Sequence, residues 1–364
     1  MPRRLKLSCL ALAAALAFTQ GAQACTSFLL STKDGGLVYG RTMEFGFELD
    51  SDVIVIPRGL RYETTALPDK QGWTWNGRYA ALGMNAYGTP YLTDGLNEKG
   101  LTGGILYFPG FADYVAPTDG DPERAMAPWE FLSWALTNFA TTAEVKAALG
   151  KVQLVSFKPP AAAGALSAAT PPFHYTFHDE TGASIVIEPL AGTLKVTDNP
   201  VGVMTNSPPF DWHLTNIRNY VKITPFDAPP LSLDGASFPP LGVGSGLLGI
   251  PGDPTPPSRF IRALGYVASA EKQPNAEAGV RMAEHIVNNF DIPRGFIRAQ
   301  GEPLPMTQWS TIADIKNRRY FFKTVDYQLL REVDLNDFDL DAKDIVSMPT
   351  AGILEYPKLM PGRS

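Results

Sequence analysis

Alternation of apolar and polar positions predicts strands at the start of the chain. The runs 26–31 and 37–42 are rich in β-forming residues and flank the turn KDGG at 33–36, whose Asp-Gly pair is typical of a β-hairpin. Residues 52–57 predict a third strand, and 73–84 supplies one or two more. The first of these strands is therefore expected at the edge of a sheet.

A helical period replaces this alternation in the middle of the chain. Apolar residues recur near helical spacing over 128–149, where TTAE at 141–144 resembles a capping box between two helices. The Pro/Ala-rich stretch 158–172 predicts a surface loop. Further strands are expected at 174–179, 183–189, 194–197 and 201–205, helices at 211–221, 258–268 and 276–289, and a hairpin around 307–326. Runs of strands followed by runs of helices predict an α+β fold, in which two packed sheets have helices outside.

Residues 1–24 show the three parts of a secretory signal peptide: basic residues, an apolar stretch, and Ala-Gln-Ala at the end. We expect this leader to be removed and 25–364 to be exported, to the periplasm or the exterior. No later stretch approaches the roughly 20 uninterrupted apolar residues that a transmembrane helix needs. The exported chain is long enough for one large domain or two smaller ones.

Composition argues against two classes of partner. The chain has 31 Lys and Arg against 37 Asp and Glu, a net charge of −6 at pH 7, and no block of like charges. Nothing in this pattern predicts binding to nucleic acid or to an anionic membrane. Cys9 lies within the leader, so Cys25 is expected to be the single thiol of the mature chain, without an internal disulfide.

Cleavage after Ala24 would leave Cys25 with a thiol and a free α-amine on one residue. An α-amine, with a pKa of about 8, can accept the thiol proton directly or through a water, so one residue would supply nucleophile and base. Two other interpretations stay open here: an ordinary buried thiol and a lipid attachment site. Lipidation is disfavoured because Ala22 stands where a lipobox has a leucine-like residue, and Gln23 is bulky and polar.

Four polar residues are candidates to assist this nucleophile. Arg41 and Glu44 lie on the hairpin arm that pairs with the strand starting at Cys25, where a guanidinium would stabilise a thiolate and a carboxylate could orient the α-amine. Asn97 and Asn206 lie in turns, where amide and main-chain N–H donors suit an oxyanion hole. The alternatives are a solvated ion pair for the first two and ordinary turn positions for the asparagines.

The remaining sequence motifs do not indicate a catalytic or ligand-binding site. The segment GSGLLG at 244–249 matches G-x-G-x-x-G, but it has Pro-rich flanks in place of a strand and a helix, so it predicts a loop. The four histidines lack metal-ligand spacing, and no G-x-S-x-G elbow is present. We therefore expect neither a metal ion nor a cofactor.

Several segments, in order along most of the chain after the leader, resemble the choloylglycine hydrolase family of N-terminal-nucleophile hydrolases, which holds bile salt hydrolases and penicillin V acylases. They are CTSFLL (25–30), GRTMEF (40–45), VIVIPR (53–58), DGLNEKGL (94–101), LYFPGFADY (106–114), NPVGVMTNSPPFDWHLTNIRNY (199–220), GIPGD (249–253) and SRFIRA (258–263).

The resemblance implies a four-layer αββα sandwich as a single catalytic domain over 25–364, without a cofactor. It implies hydrolysis of a linear amide through a thioester on Cys25, whose amine is the base, with Arg41 supporting the thiolate. The Asn206 side chain and the Asn97 main-chain N–H would form the oxyanion hole, and Arg259 would complete the polar cluster. Relatives of this kind are often homotetramers.

Glu44 departs from the family pattern, which commonly has aspartate at this position. The extra methylene could displace the carboxylate by more than about 1 Å, and misplacements of that size can cost about a hundredfold in rate. Catalysis is therefore expected, and its efficiency depends on where the Glu44 carboxylate lies.

The expected substrate is a conjugated bile acid that releases glycine or taurine, with penicillin V or an N-acyl-homoserine lactone as alternatives. Specificity is expected to depend on apolar loops that include Phe45, Phe47, 59–72 and the region around Phe108. An alternative from another class is a non-catalytic periplasmic lipoprotein or binding protein in which Cys25 is blocked.

Overall fold

Two antiparallel sheets stacked face to face form the centre of the fold. The structure, a computed structural model, describes residues 24–67, 72–157, 169–298 and 303–352. The strands in these ranges are β1 (Cys25–Ser31), β2 (Leu37–Phe45), β3 (Asp52–Ile56), β4 (Arg61–Glu63), β5 (Thr74–Asn76), β6 (Ala81–Asn85), β7 (Leu92–Asn97), β8 (Thr102–Tyr107), β9 (Ala125–Met126), β10 (Gln153–Leu154), β11 (Phe173–His178), β12 (Ser184–Leu190), β13 (Thr193–Asp198), β14 (Leu231–Leu233), β15 (Ala236–Phe238), β16 (Met306–Asp314), β17 (Arg319–Thr324), β18 (Tyr327–Asp334) and β19 (Val346–Pro349).

Five α-helices are found in the same ranges: α1 (Phe131–Asn138), α2 (Thr142–Ala148), α3 (Phe210–Asn216), α4 (Pro256–Ser269) and α5 (Ala276–Val287). The first sheet has the strand order β1-β2-β16-β17-β18. The second sheet has the order β13-β12-β11-β8-β7-β6-β3-β19. Among the helices of the described ranges, none combines the length and apolar character needed to cross a membrane.

Strand β3 shows how the layers are built. Val53 and Val55 belong to the hydrophobic core that also contains residues of the first sheet, α4 and α5. Ile54 and Ile56 alternate with them and belong to a second core, which contains residues of α1 and α2. Since neighbouring side chains of a strand point to opposite faces, the second sheet packs against the first sheet on one face and helices on the other. The α+β prediction and the αββα arrangement are confirmed.

Most predicted elements are present near their expected positions. The hairpin at the start is β1 and β2, and Cys25 pairs with Met43. The two helices expected over 128–149 are α1 and α2, and the Thr141 side chain caps α2 by accepting a hydrogen bond from the Glu144 N–H at 3.2 Å. The segment 244–249 forms a short 3₁₀ turn, as expected of a loop.

The strand expected at 201–205 was wrong. This segment runs beside β1, where the main chains of Ser27 and Met204 exchange two hydrogen bonds, but it forms only an isolated bridge there. Gly202 has a left-handed φ of 67°, which interrupts an extended conformation. Two other predictions, the leader at 1–24 and the loop at 158–172, lie mostly outside the described residues, which omit 1–23 and 158–168.

Candidate active site

Cys25 is the first residue of β1 and is only 2% exposed. Its register partner in β2 is Met43, and Arg41 lies two residues away on the same face of the hairpin. The Cys25 Sγ lies 3.9 Å from the Met43 Sδ and 3.9 Å from the Arg41 Nη2. The thiol is therefore held between a thioether and a cation, with little access to water.

Arg41 reaches across to the second sheet. Its Nη1 donates to the Thr93 carbonyl at 2.7 Å, its Nη2 donates to the Ile105 carbonyl, and the guanidinium packs 5.3 Å from the ring of Trp309. Burial acts to lower the pKa of Arg41, but the neighbouring Cys25 and Asp94 outweigh this effect, and the pKa is raised. Arg41 is thus a permanent cation beside the thiol.

Asp94 is a buried carboxylate near this guanidinium that sequence reasoning did not single out. It accepts hydrogen bonds from the hydroxyls of Thr311, at 2.5 Å, and Tyr320. Burial raises its pKa, whereas Arg41 and these two hydroxyls act to lower it. Asp94 is the first residue of the DGLNEKGL segment, which resembles the family. The sequence did not indicate that this aspartate would lie near Arg41.

Glu44 extends from the opposite face of β2, because it is one residue from Met43. Its Oε1 accepts a hydrogen bond from Thr307 at 2.9 Å, and its Oε2 is buried and has no partner among the described residues. Burial raises the pKa of Glu44 to about 7, against the lowering effects of Arg259 and Thr307. No described hydrogen bond joins this carboxylate to Cys25, although the Glu44 N–H donates to the Ala24 carbonyl at 3.0 Å.

Asn206 and Arg259 contact the main chain of Cys25. The Asn206 Oδ1 accepts from the Cys25 N–H at 2.8 Å and from the Arg259 Nη2 at 2.7 Å. Arg259, on α4, also donates through Nη1 to the Cys25 carbonyl and, at 2.9 Å, to the Thr26 hydroxyl. Burial lowers the pKa of Arg259 to about 10, so the guanidinium stays charged at neutral pH.

An apolar cavity opens beside the thiol. Together with the solvent space at its open mouth it spans about 910 Å³. No residue that the structure describes in its lining carries a charge: Cys25, Met43, Phe45, Leu49, Thr65, Ala86, Tyr87, Thr89, Tyr91, Leu92, Thr93, Ile105, Tyr107, Trp129, Pro171 and Phe173. The cavity is therefore suited to an uncharged, hydrophobic part of a ligand.

The predicted specificity residues fall partly on this lining. Phe45 lines the cavity, and the segment 59–72 contributes Thr65. Phe108 is instead fully buried and stacks on His174, with ring centroids 4.3 Å apart. Phe47 is partly exposed and packs against Phe45.

The structure does not bring Asn97 to the nucleophile. Asn97 is the last residue of β7, whereas the cavity is lined by the first residues of that strand. Its N–H donates to the Leu101 carbonyl at 2.9 Å, and its carboxamide nitrogen donates to the carbonyls of Leu136 and Phe139. The carboxamide oxygen accepts from the N–H groups of Lys99 and Leu101. The expected oxyanion role of Asn97 is corrected, because its polar groups hold a turn against the end of α1.

Tyr107 is the residue of the second sheet that approaches Asn206. The Asn206 Nδ2 donates to the Tyr107 carbonyl at 2.7 Å, and Tyr107 also lines the cavity beside Cys25. It lies in the LYFPGFADY segment, but its contact with Asn206 is made by the main chain, so the residue type does not predict it.

The described ranges contain no cluster of three His, Cys, Asp or Glu side chains arranged to hold a metal ion.

Comparisons with known proteins show similarity to one family over most of the chain. The sequence model of the linear amide C–N hydrolases, choloylglycine hydrolase family, matches residues 25–348. A bile salt hydrolase/transferase of Clostridium perfringens is 35% identical over 327 residues, which cover 88% of this chain and 95% of the relative. A conjugated bile acid hydrolase of Lactobacillus gasseri is 37% identical over 326 residues, covering 89% of this chain and 99% of the relative.

Further similarity is found in a solved structure and in a more distant relative. A variant of the conjugated bile acid hydrolase from Clostridium perfringens has a TM-score of 0.79 at 32% identity, covering 92% of this chain and 100% of that chain. A penicillin V acylase of Pectobacterium atrosepticum is 26% identical over 346 residues, covering 90% of this chain and 82% of the relative. The likeness thus extends over most of the chain and of each relative.

Proposed function

Because the chain belongs to the choloylglycine hydrolase family of linear amide C–N hydrolases, we propose that it hydrolyses conjugated bile acids and releases glycine or taurine. The observation that carries the proposal is the buried Cys25 thiol, 3.9 Å from the Arg41 guanidinium and at the wall of an uncharged apolar cavity. The relatives named as bile salt or conjugated bile acid hydrolases support this choice of substrate.

The proposed reaction proceeds through a thioester once Cys25 is the first residue. The α-amine of Cys25 takes the thiol proton, and the thiolate attacks the substrate carbonyl carbon to form a C–S bond and an oxyanion. Collapse of the oxyanion breaks the C–N bond, and the ammonium returns its proton to the departing amine. A water, deprotonated by the α-amine, then attacks the thioester carbonyl carbon; the C–S bond breaks, the acid is released, and the ammonium returns its proton to the sulfur. Arg41 stabilises the thiolate before it attacks and when the C–S bond breaks.

Asn206 and Glu44 have distinct proposed roles around the α-amine. The Asn206 Oδ1, 2.8 Å from the Cys25 nitrogen, orients its lone pair, and the carboxamide N–H that does not face Tyr107 is assigned to the oxyanion. The Oε2 of Glu44, which is buried without a described partner, is assigned as an acceptor for the protonated amine. Asp or Glu at this position would place the acceptor at different distances from the amine.

The cavity favours an acyl group that is large, apolar and uncharged. A steroid ring system fits this chemistry, and the anionic glycine or taurine would stay outside the lining. Cleavage of penicillin V is the second candidate, supported by the 26% identical acylase, since its phenoxyacetyl group is also apolar. An N-acyl-homoserine lactone, with an apolar acyl chain, is the third substrate to assay.

The test is amine release from glycocholate, taurocholate, penicillin V and an acyl-homoserine lactone in parallel, with wild type and Cys25→Ala of confirmed N-terminus. We expect the bile conjugates to give the highest kcat/KM and Cys25→Ala to lose at least about 10³-fold, because no other group can form the thioester. Faster cleavage of penicillin V or the lactone would replace the substrate. A wild type with a free Cys25 that cleaves none of the four would contradict the proposal.

We further propose that residues 1–24 are a removed leader, that 25–364 form one catalytic domain, and that the enzyme acts in the periplasm or outside the cell. The composition of the first residues, with a basic start and Ala-Gln-Ala before Cys25, supports this. The intact mass of protein purified from an exporting host checks it. A mass beginning at a free Cys25 is expected, and a diacylglyceryl adduct would instead support the lipoprotein alternative.

A homo-oligomer is the proposed assembly, with a second copy of the chain covering an exposed apolar arm, which is the segment 221–248 between α3 and α4. Among the described residues, those of this arm that are at least three-quarters exposed are Val221, Phe226, Leu241, Val243 and Leu248. Large apolar side chains exposed along one segment favour an interaction surface. Light scattering after size exclusion should give a multiple of the chain mass, and Leu241→Ser with Val243→Ser should reduce it; a monomeric wild type would contradict the assembly.

A further inference from the structure

Two buried histidines contact the two main-chain carbonyl groups that flank the Asn206 Cα. The His174 Nε2 lies 3.0 Å from the Thr205 carbonyl oxygen, and the His213 Nε2 lies 2.9 Å from the Asn206 carbonyl oxygen. His174 belongs to β11 and His213 to α3, and both side chains are fully buried. Two elements distant in sequence therefore hold consecutive carbonyl groups of the segment that carries the Asn206 carboxamide.

The chemistry of these contacts fixes the proton on each ring. A carbonyl oxygen only accepts, so the Nε2 of His174 and of His213 must be the donor. Burial lowers the pKa of both rings, that of His213 to about 4, so they are neutral at neutral pH and each Nδ1 is unprotonated. Neither Nδ1 has a hydrogen-bond partner within the described residues.

Glu188 connects the two elements that carry these rings. Its Oε1 accepts from the N–H of Phe210, the first residue of α3, at 2.8 Å. The same oxygen lies 3.7 Å from the His174 Nδ1, and Glu188 is 1% exposed. The carboxylate thus fixes the start of the helix that holds His213 and also approaches the ring of His174.

Aromatic stacking fixes the plane of each ring. His174 stacks on Phe108 with centroids 4.3 Å apart and planes at 11°, and His213 stacks on Phe260 at 4.6 Å and 14°. Phe260 follows Arg259, which itself donates to the Asn206 Oδ1. Ring plane, proton position and acceptor are therefore all determined by the surrounding structure.

The segment needs such support because it is not a strand. The main-chain hydrogen bonds to β1 end at Met204, so no sheet ladder extends to the carbonyls of Thr205 and Asn206. We propose that His174, His213 and Glu188 are positioning residues that fix the Thr205–Asn206 backbone and thereby aim the Asn206 carboxamide at the Cys25 nitrogen. This inference rests on the proposed hydrolase function.

The test replaces each ring by one that keeps its shape and loses its donor. His174→Phe and His213→Phe retain stacking on Phe108 and Phe260, and we expect kcat to fall about 10- to 100-fold, because displacement of a positioned group by about 1 Å can cost a hundredfold. KM should change less than about threefold, because neither ring lines the cavity. His213→Gln, which restores an N–H donor, should recover most of the lost kcat.

The matched control is His178→Phe, a third buried histidine on the same strand as His174. Its described contacts are with Tyr39 and Thr176, so kcat should stay within about twofold of wild type. Because the Asn206 Oδ1 orients the amine that takes the thiol proton, the rate at which iodoacetamide alkylates Cys25 should fall in His174→Phe and His213→Phe and stay at the wild-type value in His178→Phe. A loss of both kcat and alkylation rate that His213→Gln reverses locates the fault at the contact between Asn206 and the Cys25 nitrogen.

Three results would overturn the inference. The first is a kcat of both His174→Phe and His213→Phe within twofold of the His178→Phe value. The second is an equal loss of kcat in His213→Gln and His213→Phe. The third is a crystal structure of His213→Phe in which the Asn206 carboxamide keeps its wild-type position. A wild type that is inactive on every amide would overturn the proposed function instead. In that case the crystal structure alone decides whether the rings position Asn206.

Discussion

The two faces of the β1–β2 hairpin differ sharply at Cys25. The face toward the second sheet holds the thiol, Met43 and one cation, Arg41, beside an apolar cavity. On the opposite face Glu44 is buried, and the nearby Arg259 cation opposes the rise in the Glu44 pKa that burial causes. Arg259 and Asn206 bond the main chain of Cys25. In the proposed mechanism the two faces therefore have different roles: one stabilises the thiolate, and the other holds the Cys25 nitrogen.

The two buried arginines show what this division means for charge. Burial is the largest effect on each, but the pKa of Arg41 is raised by nearby Cys25 and Asp94, whereas the pKa of Arg259 is lowered to about 10. The carboxylate near Arg259 is Glu44, whose pKa of about 7 makes it partly protonated at neutrality. The cation on the thiol side therefore keeps its charge, whereas the Glu44 carboxyl on the other side changes its charge near neutral pH.

The largest expected effect comes from removing the constant charge. Arg41→Met should lower kcat/KM about 10²- to 10³-fold, because a unit charge about 4 Å from the thiolate is worth roughly 4 kcal/mol at an effective dielectric constant near 20. The iodoacetamide alkylation rate of Cys25 should fall as well, since it depends on the thiolate. Steady-state kinetics and timed alkylation measure both effects.

Arg41→Lys is the matched control, because it keeps the charge and loses the fork that spans the Thr93 and Ile105 carbonyls. It should retain more alkylation rate than Arg41→Met. If Arg41→Met loses activity but alkylates at the wild-type rate, Arg41 acts by positioning substrate and the comparison of the two faces fails.

A smaller, pH-dependent effect is expected on the other face. If ionised Glu44 holds the protonated amine, wild-type kcat/KM rises with pH through about 7, and Glu44→Gln should lose this acid limb and about tenfold of the rate at pH 8. The raised pKa of Glu44 also affects stability, because the folded state binds the carboxyl proton more tightly than the unfolded chain does. The stability it contributes is therefore present below about pH 4.5 and lost as pH rises through about 7.

Two measurements check this prediction, a pH–rate profile and the thermal midpoint across pH 5–8. Glu44→Gln should flatten both curves, and Glu44→Asp, the residue common in the family, should keep an acid limb at a different pH. An acid limb that persists unchanged in Glu44→Gln would assign it to another group and remove Glu44 from the role of amine acceptor.

Local sequence signals predicted the elements whose geometry is set by nearby residues. The Asp-Gly turn fixed the β1–β2 hairpin, and its pairing brought Arg41 beside Cys25. The same reasoning failed at 201–205, where Gly202 breaks an otherwise strand-like run. It also failed for Asn97, because an asparagine in a turn serves the turn as readily as a ligand.

Contacts made by main-chain atoms and by burial could not be predicted from residue type. The Tyr107 carbonyl meets Asn206 because β8 ends there, and any residue at that position presents a carbonyl. The histidines at 174 and 213 lack metal-ligand spacing, and only the fold shows that they contact consecutive main-chain carbonyl groups. Likewise, the pKa of Glu44 depends on burial by segments remote in sequence.

The smallest expected effect tests whether the pH-sensitive face is as local as the comparison requires. Thr307 donates to the Glu44 Oε1 at 2.9 Å, a hydrogen bond that favours the ionised carboxylate. Thr307→Val should therefore raise the pKa of Glu44 further and move the acid limb of kcat/KM upward by about one pH unit, with the plateau rate within about twofold. Thr102→Val, which removes a buried hydroxyl bonded to Gly95 in the second sheet, should leave the limb in place. A downward shift in Thr307→Val, or equal shifts in both variants, would mean that the limb reports a property of the whole fold and not the charge of Glu44.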